Sequence, residues 1–194
     1  MHGHQIKNQN ALHFLTFTVV GWLDVFSRED YRKIIIESLQ YCQKEKGLNL
    51  FAYVLMTNHL HLIASAKTGY ELSNIIRDFK KFTAKKIIQS ILGNSQESRQ
   101  EWMLRLFKYY AKYNKNNQLY QFWQQRSHPV ELVSPAWINQ KLLYIHNNPI
   151  RAGIVKQPEY YLYSSASNYM LQEGLIEVET VSYTHLTLPT TPYV

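Results

Sequence analysis

The chain has 194 residues, of which 45% are hydrophobic; this is enough for one domain with a sizeable core and excludes a disordered or fibrous protein. A net charge of +7 favours a polyanionic partner, with nucleic acid ahead of a membrane surface. Cys42 is the single cysteine, so no internal disulfide framework is expected. With no signal peptide and no apolar run of about 20 residues, we expect a cytoplasmic protein without a membrane span.

Hydrophobic residues recur with period two in some segments, typical of strands, and with helical period in others. Ser27 to Asp30 resembles a capping box, and Ser134 before Pro135 is a typical helix start. Pro149 is expected to end or kink the last long helix, or to start a further turn that Gly153 terminates. The expected elements, in chain order, are strand 13–19, helix 27–46, strands 50–56 and 59–65 joined by a turn at 57–58, helices 71–92 and 98–112, an extended segment 120–133, a helix from 134 past Tyr144, and an aromatic segment 160–170 that packs back on the sheet. This order predicts an α+β fold with one antiparallel sheet and helices packed on its faces.

The last residues, 181–194, contain no charged side chain and resemble a translated cloning adapter. We therefore expect one domain over residues 1–180 and a non-native or disordered tail after it. The alternative is a genuine terminal strand and tail.

A histidine pair, His59-Leu60-His61, opens one of the predicted strands. Residues two apart in a strand share a face, so both imidazoles can reach one metal ion while Leu60 points to the other side. A His-x-His pattern alone is more often structural or surface-exposed than metal-binding. Two histidines on an inner strand are costly to bury without partners, however, and a metal ion is a partner for both.

Tyr144 and Asn148 are four residues apart near the end of the last long helix, hence neighbours on one helical face. A phenol, with a pKa near 10, becomes an effective nucleophile when a metal polarises the phosphate that it attacks. The Asn148 carbonyl is suitable as a third metal ligand, and oxygen donors beside the imidazoles make Mg²⁺ or Mn²⁺ reasonable. With 15 tyrosines in the chain, a packing role for Tyr144 is the alternative. His146 is expected to face away and to be either structural or on the surface.

Two strings resemble a known family. Met-Thr-Asn-His59-Leu-His61-Leu-Ile resembles the histidine block of the HUH single-strand DNA transposases, and Tyr144-Ile-His-Asn-Asn148-Pro-Ile-Arg151-Ala-Gly resembles the tyrosine block of their REP-associated branch. The similarity runs from about residue 10 to 170. Thr57 stands where many relatives have proline, which relaxes the turn without removing chemistry.

The resemblance implies a ferredoxin-like sheet, the HUH endonuclease fold. It implies His59, His61 and Asn148 as ligands of Mg²⁺ or Mn²⁺, and Tyr144 as the nucleophile. The implied reaction is cleavage and rejoining of single-stranded DNA through a 5′-phosphotyrosine, on repeat-derived hairpin DNA. Relatives occur both as homodimers that exchange tyrosine helices and as monomers, and the sequence leaves both states open.

Basic side chains mark a candidate DNA-facing surface. Arg77, Lys81 and Lys85 are spaced four apart on one helix and form one stripe, which is typical either of phosphate contacts or of a solvated face. Trp123 and Arg126 are candidates for contact with an unpaired base, although Trp123 is equally compatible with the core.

Three other functions compete with a nuclease. A catalytically inactive nucleic-acid-binding protein of the same fold would bind without metal dependence. A metal hydrolase of small substrates would need an acid/base carboxylate, and no Asp or Glu sits beside either motif. A structural protein would leave both motifs unexplained.

Overall fold

Four strands form one antiparallel sheet in the order β2-β3-β1-β4. The computed structural model describes residues 6–113, 119–125, 128–171 and 173–181. Its strands and helices are β1 (His13–Thr18), α1 (Glu29–Glu45), β2 (Leu48–Leu55), β3 (His59–Ala66), α2 (Leu72–Gly93), α3 (Gln100–Lys112), β4 (Val130–Glu131), α4 (Pro135–Arg151) and α5 (Ala166–Met170). The predicted tail lies, from residue 182 onward, outside the described residues.

Helices cover both faces of this sheet. On one face, Leu15 and Phe17 of β1 and Leu60 and Leu62 of β3 join the apolar residues of α1 and α2 in the larger hydrophobic cluster. On the other face, a smaller cluster joins strand residues to α4; its buried members are Phe14, Ala52, Val54, Met56, Ile63, Leu132, Leu142, Ile145 and Tyr161. The predicted α+β, ferredoxin-like architecture is confirmed.

The hairpin of β2 and β3 is confirmed, as is the return of the aromatic segment to the sheet. The backbone N–H of Leu55 donates to the carbonyl of Tyr163, and that of Ser165 donates to the carbonyl of Tyr53, both at 2.9 Å. Of the expected extended segment 120–133, the described residues are only partly strand. Val130–Glu131 pair with β1, and Trp123 forms a bridge with Val19.

Two expected helix ends differ from the structure. Ser27 does not cap α1, because its hydroxyl donates to the Asp24 carbonyl and the helix starts at Glu29. Pro149 does not end α4, which continues to Arg151. A proline this near the end of a helix removes a single backbone hydrogen bond, and the chain leaves the helical path only at Gly153, where φ is +69°.

The start of α4 is as predicted, since the backbone N–H of Trp137 donates to Ser134 Oγ at 3.3 Å. Within the described ranges, no helix is long and apolar enough to cross a membrane.

His146 is a buried structural residue that joins α4 to the aromatic segment. Its Nε2 lies 3.0 Å from Ser165 Oγ, and its ring packs on Tyr169 with centroids 5.1 Å apart. Burial lowers the pKa of His146 to about 4. The imidazole is therefore neutral in the folded protein at neutral pH, as expected for a structural role.

We expect the fold to lose stability in acid partly through His146. The unfolded chain binds this proton near pH 6.5, whereas the folded chain binds it only near pH 4. The free energy of unfolding therefore falls as the pH drops between these values, by about 1.4 kcal/mol per pH unit for this group. His146→Gln, which does not titrate, should flatten that part of the pH dependence in urea unfolding curves; an unchanged slope would contradict the assignment.

Candidate active site

The histidine pair lies on the α4 face of the sheet. Along β3, Leu60 points into the apolar layer under α1 and α2 and is fully buried, so His59 and His61 share the opposite face. Their ring centroids are 4.8 Å apart. His61 is buried and His59 is half-buried, so the pair opens toward the surface at its His59 end.

The Nδ1 atoms of both imidazoles are held by neighbouring side chains. His61 Nδ1 lies 2.8 Å from the hydroxyl of Thr16, its partner across β1 and β3. His59 Nδ1 lies 2.7 Å from Asn58 Oδ1. Since an amide oxygen only accepts, His59 Nδ1 carries the proton and its Nε2 keeps a lone pair for a ligand.

Asp24 fixes the orientation of the Asn58 amide. Asn58 Nδ2 donates to Asp24 Oδ1 at 3.0 Å and to the Trp22 carbonyl at 3.3 Å. Both partners accept hydrogen bonds only, so the amide oxygen must be the atom that faces His59. Thr57 adds to this contact, because its hydroxyl donates to Asp24 Oδ1 at 2.6 Å.

A buried ion pair anchors the Asp24 segment. Arg99 donates to the Asp24 carbonyl at 3.0 Å and also pairs with Glu97 at 2.9 Å, while Arg28 pairs with the same carboxylate at 2.7 Å. Burial acts to raise the pKa of Glu97, but hydrogen bonds from Arg99 and the charges of both arginines outweigh it and hold that pKa below its usual value. Glu97 therefore stays ionised, which keeps both arginines in place.

Burial keeps the two site histidines neutral. It lowers the pKa of His59, and it lowers the pKa of His61 to about 3, where the charges of His59 and Lys141 add to the effect. A neutral imidazole with its Nδ1 engaged is the form that binds a metal ion through Nε2.

Tyr144 stands directly over this pair. Its ring meets the His61 ring edge-on, with centroids 5.3 Å apart, and packs in the same way against Phe14 at 5.9 Å. Phe14 in turn stacks on His61 at 5.2 Å. The predicted association of the tyrosine helix with the histidine strand is therefore present in the fold.

Asn148 follows Tyr144 by one helical turn, about 6 Å along α4. Asn148 is half-buried and lies on the same face of α4 as Tyr144.

Two cations flank Tyr144, and neither was among the predicted site residues. Lys141 Nζ lies 5.7 Å from the centre of the Tyr144 ring, and Arg151 Cζ lies 5.5 Å from it. Together with Asn148 they form one stripe, because positions 141, 144, 148 and 151 are three and four residues apart. That spacing was a readable signal in the sequence.

The donor set of the site suits a metal that accepts both nitrogen and oxygen. Among the described residues no three His, Cys, Asp or Glu side chains cluster as a metal site, so carboxylates do not complete the set. Two neutral imidazoles leave coordination positions for oxygen donors, so the pair is compatible with an open divalent-ion site and differs from a closed structural zinc site.

The predicted DNA-facing stripe is exposed, but it lies elsewhere. Arg77, Lys81 and Lys85 lie on α2, which packs on the sheet face opposite to the histidines. Arg77 is also engaged within its own helix, with Asp78 at 2.9 Å and Asn74 at 2.9 Å. The structure therefore does not bring this stripe and the histidine pair together on one face.

Trp123 belongs to the core, which corrects its assignment to base contact. Its side chain is 5% exposed and its indole N–H donates to Thr83 Oγ1 at 3.0 Å. Both the ring faces and the polar group are thus occupied within the protein. Arg126 lies outside the described residues.

Comparisons with known proteins match part of the chain to a family. Residues 17–107 match the model of a family described as "Transposase IS200 like". This segment is similar to the IS200-like transposases. The matched range of this chain includes both His59 and His61 and ends before Tyr144. The resemblance stated from the sequence is confirmed.

Two solved structures are similar to this chain, and the first of them supports the fold. A REP-associated tyrosine transposase, solved with a bound REP hairpin, is 16% identical with a TM-score of 0.58, over 95% of this chain and 95% of that chain. A protein of Deinococcus radiodurans R1 assigned as a transposase is 18% identical over 76% of this chain and 97% of that chain, with a TM-score of 0.43. No curated protein matches the sequence. The first similarity covers 95% of this chain, so the shared fold extends beyond residue 107.

Proposed function

We propose that this protein is a metal-dependent single-strand DNA endonuclease and strand transferase, with Tyr144 as its nucleophile. The observation that carries the proposal is the contact of the Tyr144 ring with His61, at 5.3 Å between centroids, on the face that also holds His59. A packing tyrosine needs neither a histidine pair nor two flanking cations. The proposed functional unit is residues 1–180.

The proposed substrate is hairpin DNA with flanking single strand. Support comes from the net charge of +7 and from the similar solved structure of a REP-associated tyrosine transposase, which is bound to a REP hairpin.

The proposed ligands of a divalent ion are His59 and His61 through Nε2 and Asn148 through its side-chain carbonyl. When bound, Mg²⁺ or Mn²⁺ would withdraw charge from a non-bridging phosphate oxygen. The protein holds both imidazoles neutral and aimed by Thr16 and Asn58, so little reorganisation is needed on binding.

In the proposed reaction the phenol oxygen of Tyr144 attacks the phosphorus of a phosphodiester. The Tyr144 O–P bond forms, the bond from phosphorus to the 3′-oxygen breaks, and the phenol proton leaves to solvent while the 3′-oxygen gains a proton. The products are a 5′-phosphotyrosine and a free 3′-hydroxyl. Attack by another 3′-hydroxyl reverses these steps and joins new strands without an external energy source.

Lys141 and Arg151 have a role in this scheme that the sequence analysis did not assign. Both cations lie within 6 Å of the Tyr144 ring centre, at 5.7 and 5.5 Å. Positive charge on two sides of the nucleophile attracts the phosphate and offsets the negative charge that develops on it and on the phenolate.

The first test of the proposal is Tyr144→Phe. Incubation of the protein with a labelled single-stranded hairpin oligonucleotide and Mn²⁺ should give a covalent adduct on a denaturing gel. Phenylalanine keeps the ring contacts with Phe14 and His61 but has no attacking oxygen, so adduct formation should fall at least about 1,000-fold.

The matched control is Tyr160→Phe, because Tyr160 is exposed and lies outside both motifs. Adduct formation should be unchanged in this variant. Wild-type adduct yield from Tyr144→Phe would refute the assignment, and hairpin binding without any adduct in the wild type would favour the inactive DNA-binding alternative.

A second prediction concerns metal affinity. Asp24→Ala frees the Asn58 amide to rotate, so His59 loses its fixed acceptor, and Mn²⁺ affinity should fall about 10- to 100-fold. Asp24→Asn keeps an acceptor oxygen, so its Mn²⁺ affinity should lie between that of Asp24→Ala and that of the wild type. Titration of free Mn²⁺ by electron paramagnetic resonance measures the effect without any activity; exposed Asp30→Ala is the control. Equal affinities in all four proteins would contradict the role of Asp24.

A third prediction separates the α2 stripe from the site. If Lys81 and Lys85 contact phosphates, Lys81→Ala and Lys85→Ala should each reduce the slope of log affinity against log salt by about 0.7 for single-stranded DNA. Arg77→Ala should change the slope less, because Arg77 is already paired with Asp78. Lys44→Ala, which removes a side chain that is 83% exposed on α1, serves as the control. An unchanged slope in both lysine variants would leave the stripe as a solvated face.

A further inference from the structure

We infer that the indole of Trp22 is a stacking site for an unpaired base of the DNA strand, beside the phosphate that is cleaved. The inference rests on the proposed function and deepens it. No base-contacting residue was predicted at this position, and the family match itself assigns none.

The first observation is the position of the ring. The side chain of Trp22 is 61% exposed, and its ring centroid lies 6.2 Å from that of His59 at an interplanar angle of 72°. His59 is the more open member of the pair. A large apolar ring thus borders the candidate metal site on its solvent side.

The second observation is the backbone of Trp22, which has a φ of +55°. Over the described ranges it is the one residue other than glycine with a positive φ. This region is unfavourable for an L-residue with a side chain, and unfavourable backbone is retained mainly where a site requires it. Nothing in the packing explains a tryptophan here, because the ring is not used to fill the core.

The third observation is that the turn is firmly held from behind. Gly21 also has a positive φ, +65°, and a Cβ at this position would lie 2.8 Å from Leu106 Cδ2. The backbone N–H of Val20 donates to the Phe122 carbonyl at 2.9 Å. Two consecutive left-handed residues, backed by α3, direct the indole outward.

Asn58 connects this turn to the site. The amide that accepts from His59 Nδ1 also donates to the Trp22 carbonyl, at 3.3 Å. The same amide therefore holds both the backbone that carries the indole and the imidazole of His59. A base stacked on Trp22 would have its own phosphate close to the histidine pair.

An unpaired nucleobase is the ligand that suits this surface. Its flat ring matches an exposed indole face, whereas a base within a duplex has both faces covered by its neighbours. Stacking of this kind tolerates any base, so it positions the strand without selecting a sequence. The net charge of +7 favours the negatively charged strand over an apolar ligand.

The test measures binding in the Tyr144→Phe background, so that no covalent step intervenes. Fluorescence anisotropy compares two labelled 20-mers, one of deoxythymidine and one of abasic sites with the same number of phosphates. Trp22→Ala should weaken binding of the thymidine strand roughly 5- to 100-fold and leave the abasic strand unchanged. Trp22→Phe should retain most of the affinity. Trp137→Ala, which removes an indole that is 50% exposed, should leave both unchanged.

A second variant excludes a structural role for the ring. Glycine accepts a positive φ without strain, so the melting temperature of Trp22→Gly should equal or exceed that of the parent while thymidine binding falls as in Trp22→Ala. A lowered melting temperature in Trp22→Gly, or equal effects of Trp22→Ala on both strands, would overturn the inference. Base-dependent binding through Trp22 without a Tyr144-dependent adduct in the otherwise wild-type protein would overturn the nuclease assignment alone.

Discussion

The pairing of β1 with β3 is the constraint on which the site depends. Its register opposes Thr16 to His61, and strand alternation then sends both histidines to the α4 face. A slip of one residue would exchange the faces, so that the imidazoles would enter the apolar layer and Leu60 and Leu62 would leave it. Burial of these leucines under α1 and α2 therefore selects the same register that places the histidines beneath Tyr144.

A second constraint acts on the hairpin from outside the sheet. Glu97 has no exposed side-chain surface and is neutralised by Arg28 and Arg99, the second of which also holds the Asp24 carbonyl. Loss of one arginine would leave a buried charge incompletely paired, which is strongly unfavourable. The ends of α1 and α3 are thus tied to the segment that orients Asn58, and the open end of the site is as firmly supported as its buried end.

The sequence predicted the features that depend on the local alternation of side chains along a strand. It did not predict those that depend on contacts between residues far apart in the sequence. The shared face of His59 and His61 follows from strand alternation alone. The contact of Tyr144 with that face was accessible only through the family resemblance, because no local pattern shows where a later helix packs. Trp123 and Trp22 show the same limit. The indole of Trp123 is buried and donates to Thr83, whereas the indole of Trp22 is exposed beside His59. The residues next to each tryptophan in the sequence do not reveal either environment.

Asn58 connects the two parts of the proposed DNA site, the imidazole of His59 and the indole of Trp22. Its oxygen accepts from His59, while its two amide hydrogens serve Asp24 and the Trp22 carbonyl. Because an amide group is planar and all of these groups bond to it, none of the partners can shift without moving the others. The turn after β2 therefore links the His59 imidazole to the segment that carries the exposed indole, and in the proposed function this link would relate a base stacked on Trp22 to the phosphate at the histidine pair.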